Sequence, residues 1–321
     1  MQNFQSRKST FSGIIILIAT AFVWGFAFVA QREGVNHIDS ISLSEMRYLI
    51  ATIVLGVSVL LADFYKKRKG EKVVGFNRDT IIGGIFCGAI LFVSTIVQQI
   101  GIETTTSGKA GFITVLYIVI VPILGVFARK RTSFVNCCAV MVAIMGFVLM
   151  CINDSFTLAQ GDALVFCSAI TFGFHIFFVD LYCKNSDPIK FTFMQFAACA
   201  VIGFPFMAAN GFPTSYALSE SIIPLLYIGV LSSGLAYTLQ VAGQKRVKAS
   251  VATLIMSLES VIALFGGIII LGEESTAKEL AGCLLVFVAV FIAQLEVPHD
   301  FLKFHNNKYL NFKNKQIYCC S

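Results

Sequence analysis

The chain of 321 residues is 57% hydrophobic, carries charges on only 13% of its residues and has a mean hydropathy of +0.81. Soluble globular proteins average about 45–50% apolar and about 25% charged residues. So few charges cannot form the polar surface that a soluble protein of this size needs. The composition therefore excludes a soluble protein and predicts a polytopic membrane protein whose surroundings are the lipid bilayer.

The net charge of +6 and the ten cysteines do not indicate a nucleic-acid or metal partner. The basic residues lie in short gaps between apolar segments, where orientation in a membrane explains them better than a nucleic-acid surface does. Most cysteines lie inside apolar segments, where a thiol behaves as a small hydrophobic side chain, and no pair has metal-ligand spacing. We therefore predict no nucleic-acid partner, no disulfide, no metal and no cofactor.

Ten apolar segments are long enough to cross a bilayer as helices, for which about 20 residues are needed. In chain order they lie at about 12–31, 42–62, 80–100, 110–128, 134–152, 161–180, 191–210, 221–241, 250–271 and 277–296. The connections between them are short. The sequence therefore predicts an all-α protein of ten transmembrane helices, without a soluble domain and without the nucleotide-binding domain of an ATP-driven pump.

The basic residues predict how the ten spans are oriented. If the N-terminus is cytoplasmic, all but four of the 24 Lys and Arg residues fall in cytoplasmic segments. The four that fall near the outer face are Arg32, Arg47, Lys109 and Lys278. Because cytoplasmic loops carry an excess of Lys and Arg, we predict that the N- and C-termini are both cytoplasmic. We expect a multi-pass protein of the plasma (inner) membrane.

The two halves of the chain repeat each other at several positions. The matches are Trp24-Gly25-Phe26 with Phe172-Gly173-Phe174 and Asp39 with Asp187 at an offset of 148, Asp79 with Glu220 and Gln99 with Gln240 at an offset of 141, and Lys109-Ala110-x3-Thr114 with Lys248-Ala249-x3-Thr253. Their order along the chain indicates that spans one to five recur as spans six to ten. The predicted domains are an N-terminal segment (1–11), a first repeat (12–152), a linker (153–160), a second repeat (161–296) and a cytoplasmic tail (297–321).

Five spans per repeat is an odd number, so the second repeat enters the membrane from the opposite side. This 5+5 inverted repeat is typical of secondary transporters, in which the two halves exchange conformations to open the site to either side. A duplication that serves only helix packing is the alternative interpretation.

Four of the predicted spans carry short motifs of a recognisable kind. These are Trp24-Gly25 in the first, Arg47-Tyr48-Leu49-Ile50-Ala51 in the second, Ala110-Gly111-Phe112-Ile113-Thr114 with Leu116-Tyr117 and Pro122 in the fourth, and Leu258-Glu259-Ser260-Val261 with Leu271-Gly272-Glu273 in the ninth. On these motifs the chain resembles the drug/metabolite transporter superfamily, EamA type, with two EamA repeats over nearly its whole length. The resemblance implies a ten-helix secondary carrier of small metabolites, often an exporter. In that family a proline commonly follows the acidic residue of the ninth span, and Ser260 replaces it here.

Glu259 is an ionisable residue near the middle of a predicted span. A charge at the bilayer centre costs about 2.5–3.5 kcal/mol on insertion scales, and such residues usually face a cavity and take part in transport or proton coupling. Tyr117 lies at similar depth in the fourth span, the counterpart of the ninth. Because inverted repeats place the solute near the midplane, we predict that Glu259 couples a proton or binds an amino group of the solute. A Glu259 that only ties two helices together is the alternative.

The remaining candidates for binding or coupling are Trp24, His175, Arg47, Gln99 and Gln240. Arg47 could attract an anionic group, whereas snorkelling to the interface or pairing with an acid such as Glu45 is the alternative. A lone helical histidine such as His175 is more often a satisfied structural residue than a ligand. These two glutamines, together with Gln98, lie near the ends of their spans and are expected to line vestibules. For Trp24, as for Tyr117, core packing is the default expectation.

The sequence therefore predicts a secondary transporter, not an enzyme, that exports a small organic metabolite, amino acid or drug by alternating access. An intramembrane enzyme such as a lipid-modifying transferase and a membrane sensor are the alternatives. The first would call for clustered carboxylates or a histidine pair at the interface, and the second for a signalling domain. Proton coupling and a homodimer are compatible with the sequence, which does not identify the solute.

Overall fold

The computed structural model describes residues 2–127, 134–151, 159–247 and 249–294, and every regular element within these ranges is a helix. The predicted tail (297–321), the loop at 129–133 and most of the predicted linker (153–160) lie outside the described residues. The described part is an all-helical bundle, as the run of apolar segments predicts.

The α-helices follow the predicted spans in chain order. In the first half they are α1 (Gln2–Gly34), α2 (Ser40–Arg68), α3 (Gly84–Ile102), α4 (Ser107–Thr114), α5 (Tyr117–Phe127) and α6 (Phe134–Cys151). In the second half they are α7 (Gln160–Tyr182), α8 (Pro188–Asn210), α9 (Ser215–Glu220), α10 (Ile222–Leu226), α11 (Tyr237–Gln244), α12 (Ala249–Met256), α13 (Leu258–Leu271) and α14 (Ala277–Gln294). A π-helical segment, Asp79–Gly83, leads into α3, and a second, Tyr227–Ala236, joins α10 to α11.

Eight helical segments within the described residues are long and apolar enough to cross a membrane. They correspond to eight of the ten predicted spans. The predicted fifth and tenth spans correspond to α6 and α14, each of 18 residues, which pack against each other. The chain is thus a polytopic α-helical membrane protein, and the count of ten spans stays a prediction.

The contact between α6 and α14 depends on two glycines. A Cβ atom at Gly146 would lie 2.8 Å from the carbonyl oxygen of Gly282, and a Cβ atom at Gly282 would lie 2.8 Å from the carbonyl oxygen of Gly146. Small residues let membrane helices approach closely enough for backbone packing. Any larger side chain at either position would push the two helices apart.

Two aspartates explain why one pair of positions repeats at an offset of 148. Asp39 accepts hydrogen bonds from two backbone N–H groups at the start of α2, at 3.1 and 3.0 Å. Asp187 does the same at the start of α8, at 3.0 and 3.4 Å. Each cap also binds the end of the other helix: Lys66 Nζ lies 3.1 Å from Asp187, and Asn210 Nδ2 lies 2.9 Å from Asp39. The helices α2 and α8 are therefore antiparallel counterparts that cap each other.

Helix neighbours occur in matched pairs. The counterparts α2 and α8 contact each other, as do α6 and α14, and the contact of α4 with α13 is matched by that of α12 with α5. The helix α3 contacts α7, and the matching contact in the other half is between α1 and α11 with the π-helical segment Tyr227–Ala236. The helix α3 also contacts α8, and the matching contact is between α2 and Tyr227–Ala236. Exchanging the two halves of the chain leaves this set of neighbours unchanged.

The two halves run in opposite directions through the bundle. The helix α1 ends where α3 ends, since Arg32 Nη1 donates to the carbonyl oxygen of Glu103 at 3.0 Å. The helix α7 begins at that same end, where Thr105 and Asp162 form a hydrogen bond. We call this end the outer end, and the opposite end, which contains Arg68 and Asp79, the inner end, after the predicted orientation.

Candidate functional site

Two spans are interrupted near their middle. The helix α4 ends at Thr114 and α5 begins at Tyr117, whereas α12 ends at Met256 and α13 begins at Leu258. At about 1.5 Å per residue, the break in the fourth span lies roughly 12 Å from the outer end and the break in the ninth roughly 20 Å, which is the middle part of a hydrocarbon core of about 30 Å. The structure agrees with the apolar spans predicted at 110–128 and 250–271 over the described residues and adds a break inside each, which the sequence does not predict.

Hydrogen bonds at the breaks show why the helices stop there. In the fourth span, Leu116 N bonds to the carbonyl oxygen of Ile113 at 3.1 Å, a spacing of three residues that tightens the helix. In the ninth span, Ser257 Oγ donates to the carbonyl oxygen of Leu254 at 2.6 Å, and Ser260 Oγ donates to that of Ser257 at 2.8 Å. Serine hydroxyls that bond back to carbonyl groups satisfy backbone groups at a bend. The ninth span therefore breaks without the proline that Ser260 replaces.

Tyr117 and Glu259 meet at the two breaks. The Tyr117 hydroxyl donates a hydrogen bond to Oε1 of Glu259 at 2.9 Å, and each residue is 2% exposed. Glu259 lies in the first turn of α13, where the partial positive charge of the helix N-terminus favours a carboxylate. Because Tyr117 belongs to the first half and Glu259 to the second, their bond joins the halves at the centre of the bundle.

A narrow cavity surrounds this pair. Its volume is about 40 Å³, which is room for a few water molecules. It is lined by Trp24, Ala27, Phe28, Gln31, Arg47, Gln98, Thr114, Tyr117, Phe172, His175, Ile176, Ser232, Tyr237, Gln240 and Glu259. Six of the seven predicted site residues are thus brought together, and residues of both halves contribute to the wall.

Arg47 projects into the cavity from α2 and is 2% exposed. Its Nη1 donates to Oε1 of Gln31 at 3.1 Å, and its Nε donates to Oγ of Ser233 at 3.1 Å. Within the described ranges, no carboxylate forms an ion pair with it. The guanidinium therefore neither snorkels to an interface nor pairs with Glu45. It is held by neutral groups and presents its charge to the cavity.

Aromatic side chains form another part of the wall. Trp24 packs edge-on against Tyr237 with ring centroids 4.7 Å apart, and His175 contacts the same ring at 6.0 Å. The Nε2 atom of His175 lies 2.7 Å from Oε1 of Gln195. Phe172, the repeat counterpart of Trp24, also lines the cavity. The wall is thus built from matching positions of the two halves.

Several buried polar atoms of the wall lack a hydrogen-bond partner among the described residues. They are Nε1 of Trp24 and both side-chain polar atoms of Gln240. Nearly all buried polar groups in proteins bind a partner, which can be an ordered water or a ligand. These atoms are therefore free to bind water or a polar ligand group.

Gln99 is the predicted site residue that does not line the cavity. It is fully buried, and its Nε2 contacts the carbonyl oxygen of Gln31 at 3.4 Å. Its neighbour Gln98 faces the cavity instead, because adjacent residues of a helix point about 100° apart. Gln31 and Tyr237 were not predicted. A glutamine inside an apolar span is a signal that could have identified Gln31, whereas Tyr237 looks like an ordinary packing residue.

Comparisons with known proteins agree with this architecture. The model of the EamA-like transporter family matches residues 11–152 and 159–294. An uncharacterized transporter of Archaeoglobus fulgidus is 27% identical over 288 residues, covering 88% of this chain and 85% of that protein. The uncharacterized inner membrane transporter YicL of Salmonella typhimurium is 21% identical, covering 90% of this chain and 97% of that protein. A solved structure 14% identical in sequence has a TM-score of 0.63 over 88% of this chain and 96% of that one, a likeness of fold.

The two matched segments together span most of the chain, and the similar proteins are named as transporters. The family that the sequence motifs indicate is thereby confirmed. The chain is a multi-pass α-helical membrane transporter and belongs to the EamA-like transporter family.

Proposed function

We propose that the protein is a secondary transporter that exports a small organic solute across the plasma membrane by alternating access. It does so with two inverted repeats of five spans each, and both termini are cytoplasmic. The matched helix neighbours and the opposite directions of the two halves support the inverted repeat. In such a protein, exchange of conformation between the halves converts a cavity open on one side into a cavity open on the other.

The observation that carries this proposal is the hydrogen bond between Tyr117 and Glu259 at the breaks of the fourth and ninth spans. Transporters built from inverted repeats bind solute near the bilayer midplane, at the interface of the repeats, and commonly next to interrupted helices. The cavity lies between the two halves and beside both interrupted helices, which supports this assignment. A motion of one half relative to the other changes the surroundings of Glu259 directly.

The charges of the cavity define the class of solute. Glu259 supplies one buried carboxyl group and Arg47 one buried guanidinium group. A solute with an amino group and an acidic group, such as an amino acid, satisfies both charges at once. Buried charges are stable only when they are paired, so a zwitterion replaces solvent at a lower cost than a neutral solute or a singly charged one.

Glu259 also provides a route to proton coupling. A carboxyl group in a dry site binds either a proton or an ammonium group, because burial disfavours an uncompensated negative charge. Release of the solute on one side would leave the carboxylate to take up a proton. Exchange of the proton for the ammonium group on the other side then couples the two movements.

Contacts between the halves join them at both ends of the bundle. At the outer end, the backbone N–H of Ser107 donates to Glu273 at 2.8 Å, and Lys109 lies 2.7 Å from Glu279. At the inner end, ion pairs join Lys66 to Asp187 at 3.1 Å and Lys190 to Asp63 at 2.7 Å. Solute entry from either side therefore requires one of these sets to separate while the other stays formed.

Exchange of labelled solutes in proteoliposomes tests the proposal. Full-length protein is reconstituted, and a panel of amino acids is compared with analogues in which the amino or the carboxyl group is capped. We expect exchange of at least one zwitterion above empty vesicles and a large loss for both capped forms. Equal exchange of capped and uncapped forms would refute the zwitterion assignment, and no exchange of any solute in a broad metabolite panel would refute transport.

A further inference from the structure

A second cavity lies between α2, α3 and α8, apart from the central one. Its volume is about 210 Å³, and it shares no lining residue with the cavity around Glu259. Its walls are mainly aliphatic and aromatic, with Ile41, Tyr48, Phe92, Ile96 and Phe206 among them. The acidic residue in its wall is Glu45.

Glu45 is buried without a partner. The residue is 1% exposed, and neither of its carboxyl oxygens has a hydrogen-bond partner among the described residues. Arg47 lies two residues further along α2 and therefore points about 200° away, into the central cavity. Gly203 of α8 makes room for the carboxyl group, because a Cβ atom there would collide with Oε2 of Glu45. The fold thus accommodates an acid that its own residues leave unsatisfied.

The cavity opens sideways, near the outer end of the bundle. Glu45 is the sixth residue of α2, about 8 Å from the start of the helix. Two residues of the wall, Ile100 and Phe206, are 37% and 55% exposed on the apolar outer surface of the helices. In the predicted orientation, this depth is close to the outer boundary between lipid headgroups and acyl chains. A molecule dissolved in the bilayer would therefore approach the carboxyl group past these two side chains and not through the central cavity.

The chemistry of the wall selects an ammonium group with an apolar body. The rings of Phe92 and Phe206 stack with centroids 5.9 Å apart, and the ring of Tyr48 lies 6.1 Å from that of Phe92. Aromatic faces and a carboxylate both attract a cation. Since both carboxyl oxygens lack donors, a primary ammonium with three N–H groups satisfies them better than a quaternary one, which has none.

We propose that this lateral cavity is a binding site for an amphiphile with a primary ammonium group. The ammonium group donates hydrogen bonds to Glu45, and the adjoining apolar part lies against Phe92, Ile96 and Phe206. The amphiphile is either an aminolipid of the bilayer, such as phosphatidylethanolamine, or a free lipophilic amine. The assignment does not depend on the solute of the central cavity.

Binding of labelled dodecylamine to full-length protein in phosphatidylcholine nanodiscs tests the site. We expect saturable binding that Glu45→Gln weakens by about tenfold or more, the effect of losing hydrogen bonds to a charged group. Dodecanol and dodecyltrimethylammonium should bind more weakly than the amine. Glu33→Gln is the matched control, because it removes an acid that lines neither cavity and should leave dodecylamine binding unchanged. Glu259→Gln is measured beside it and reports any amine bound in the central cavity.

A second variant keeps the test decisive if Glu45→Gln does not fold. Ile96→Phe narrows the cavity with the carboxyl group intact and should also reduce dodecylamine binding. Native mass spectrometry then identifies the source of the amphiphile. A lipid site is indicated if the protein retains phosphatidylethanolamine in preference to phosphatidylcholine and phosphatidylglycerol, and if the variant loses this preference. A free amine is indicated if the protein binds the amine but shows no lipid preference. The proposal would be overturned if dodecylamine and dodecanol bind equally well. It would also be overturned if Glu259→Gln loses dodecylamine binding while Glu45→Gln or Ile96→Phe retains it.

Discussion

Replacement of Tyr117 by phenylalanine removes one hydroxyl group from the centre of the proposed transport site. The lost contact is the 2.9 Å hydrogen bond to Glu259, and the ring that packs in the cavity wall is retained. A hydrogen bond to a charged group contributes about 1.5–3 kcal/mol, which corresponds to roughly a 10- to 100-fold change in an equilibrium constant. We therefore expect Tyr117→Phe to weaken solute affinity by about that factor with little change in thermal unfolding.

A double-mutant cycle shows whether the effect passes through Glu259. Solute affinity is measured in proteoliposomes for Tyr117→Phe, Glu259→Gln and the double variant. If the hydroxyl acts on the carboxyl group, Tyr117→Phe should have less than about a threefold effect in the Glu259→Gln background, a coupling of 1 kcal/mol or more. Tyr227→Phe is the matched control, since its hydroxyl bonds to the carbonyl oxygen of Val23 at 3.0 Å outside the cavity lining. Fully additive losses would refute the reasoning.

Three further predictions concern orientation, packing and charge. An epitope inserted after Gly70 should be inaccessible to antibody outside intact cells, whereas one inserted at Pro213 should be accessible, and the reverse pattern would contradict the cytoplasmic termini. Gly146→Leu should lower the free energy of unfolding by about 1–3 kcal/mol or more, because the larger side chain overpacks the contact with α14. Gly75→Leu is the control. A Cβ atom at Gly75 has no other atom within 4 Å, so this variant should unfold like the natural protein in the same thermal scan. Arg47→Gln should weaken binding of a carboxylate-bearing solute by about 10- to 100-fold and leave an amine without a carboxylate unchanged, and equal losses for both would exclude the anion-binding role.

The lengths of the apolar segments and the positions of the charged residues predict the helical membrane fold and part of the candidate site from sequence. A carboxyl group inside an apolar span is conspicuous, so Glu259 could be predicted as a site residue, and the offset between the halves placed Tyr117 at similar depth. The motifs that contain these residues also indicated the family. All of these features are patterns of residue type and spacing, which is why no structure is needed to recognise them.

Features that depend on helix phase and on backbone detail could not be predicted. The break of the ninth span relies on hydroxyl groups of Ser257 and Ser260, which are common in continuous helices too. The choice between Gln98 and Gln99 depends on how α3 is rotated about its axis. Likewise, Glu45 and Arg47 lie two residues apart on α2 but face different cavities. The cavity that each residue faces is set by how α2 packs against helices distant in sequence, which the sequence does not show.

The dependence of solute transport on pH, compared between the natural protein and Glu259→Gln, tests the central claim most directly. In the natural protein the rate should fall as the pH is lowered on the side from which the solute binds, because a protonated carboxyl group cannot pair with the ammonium group of the solute. Glu259→Gln should insert and unfold like the natural protein, transport far more slowly and lose this pH dependence. Full transport with an unchanged pH profile in Glu259→Gln would contradict the account and leave Glu259 as a residue that only packs two helices together.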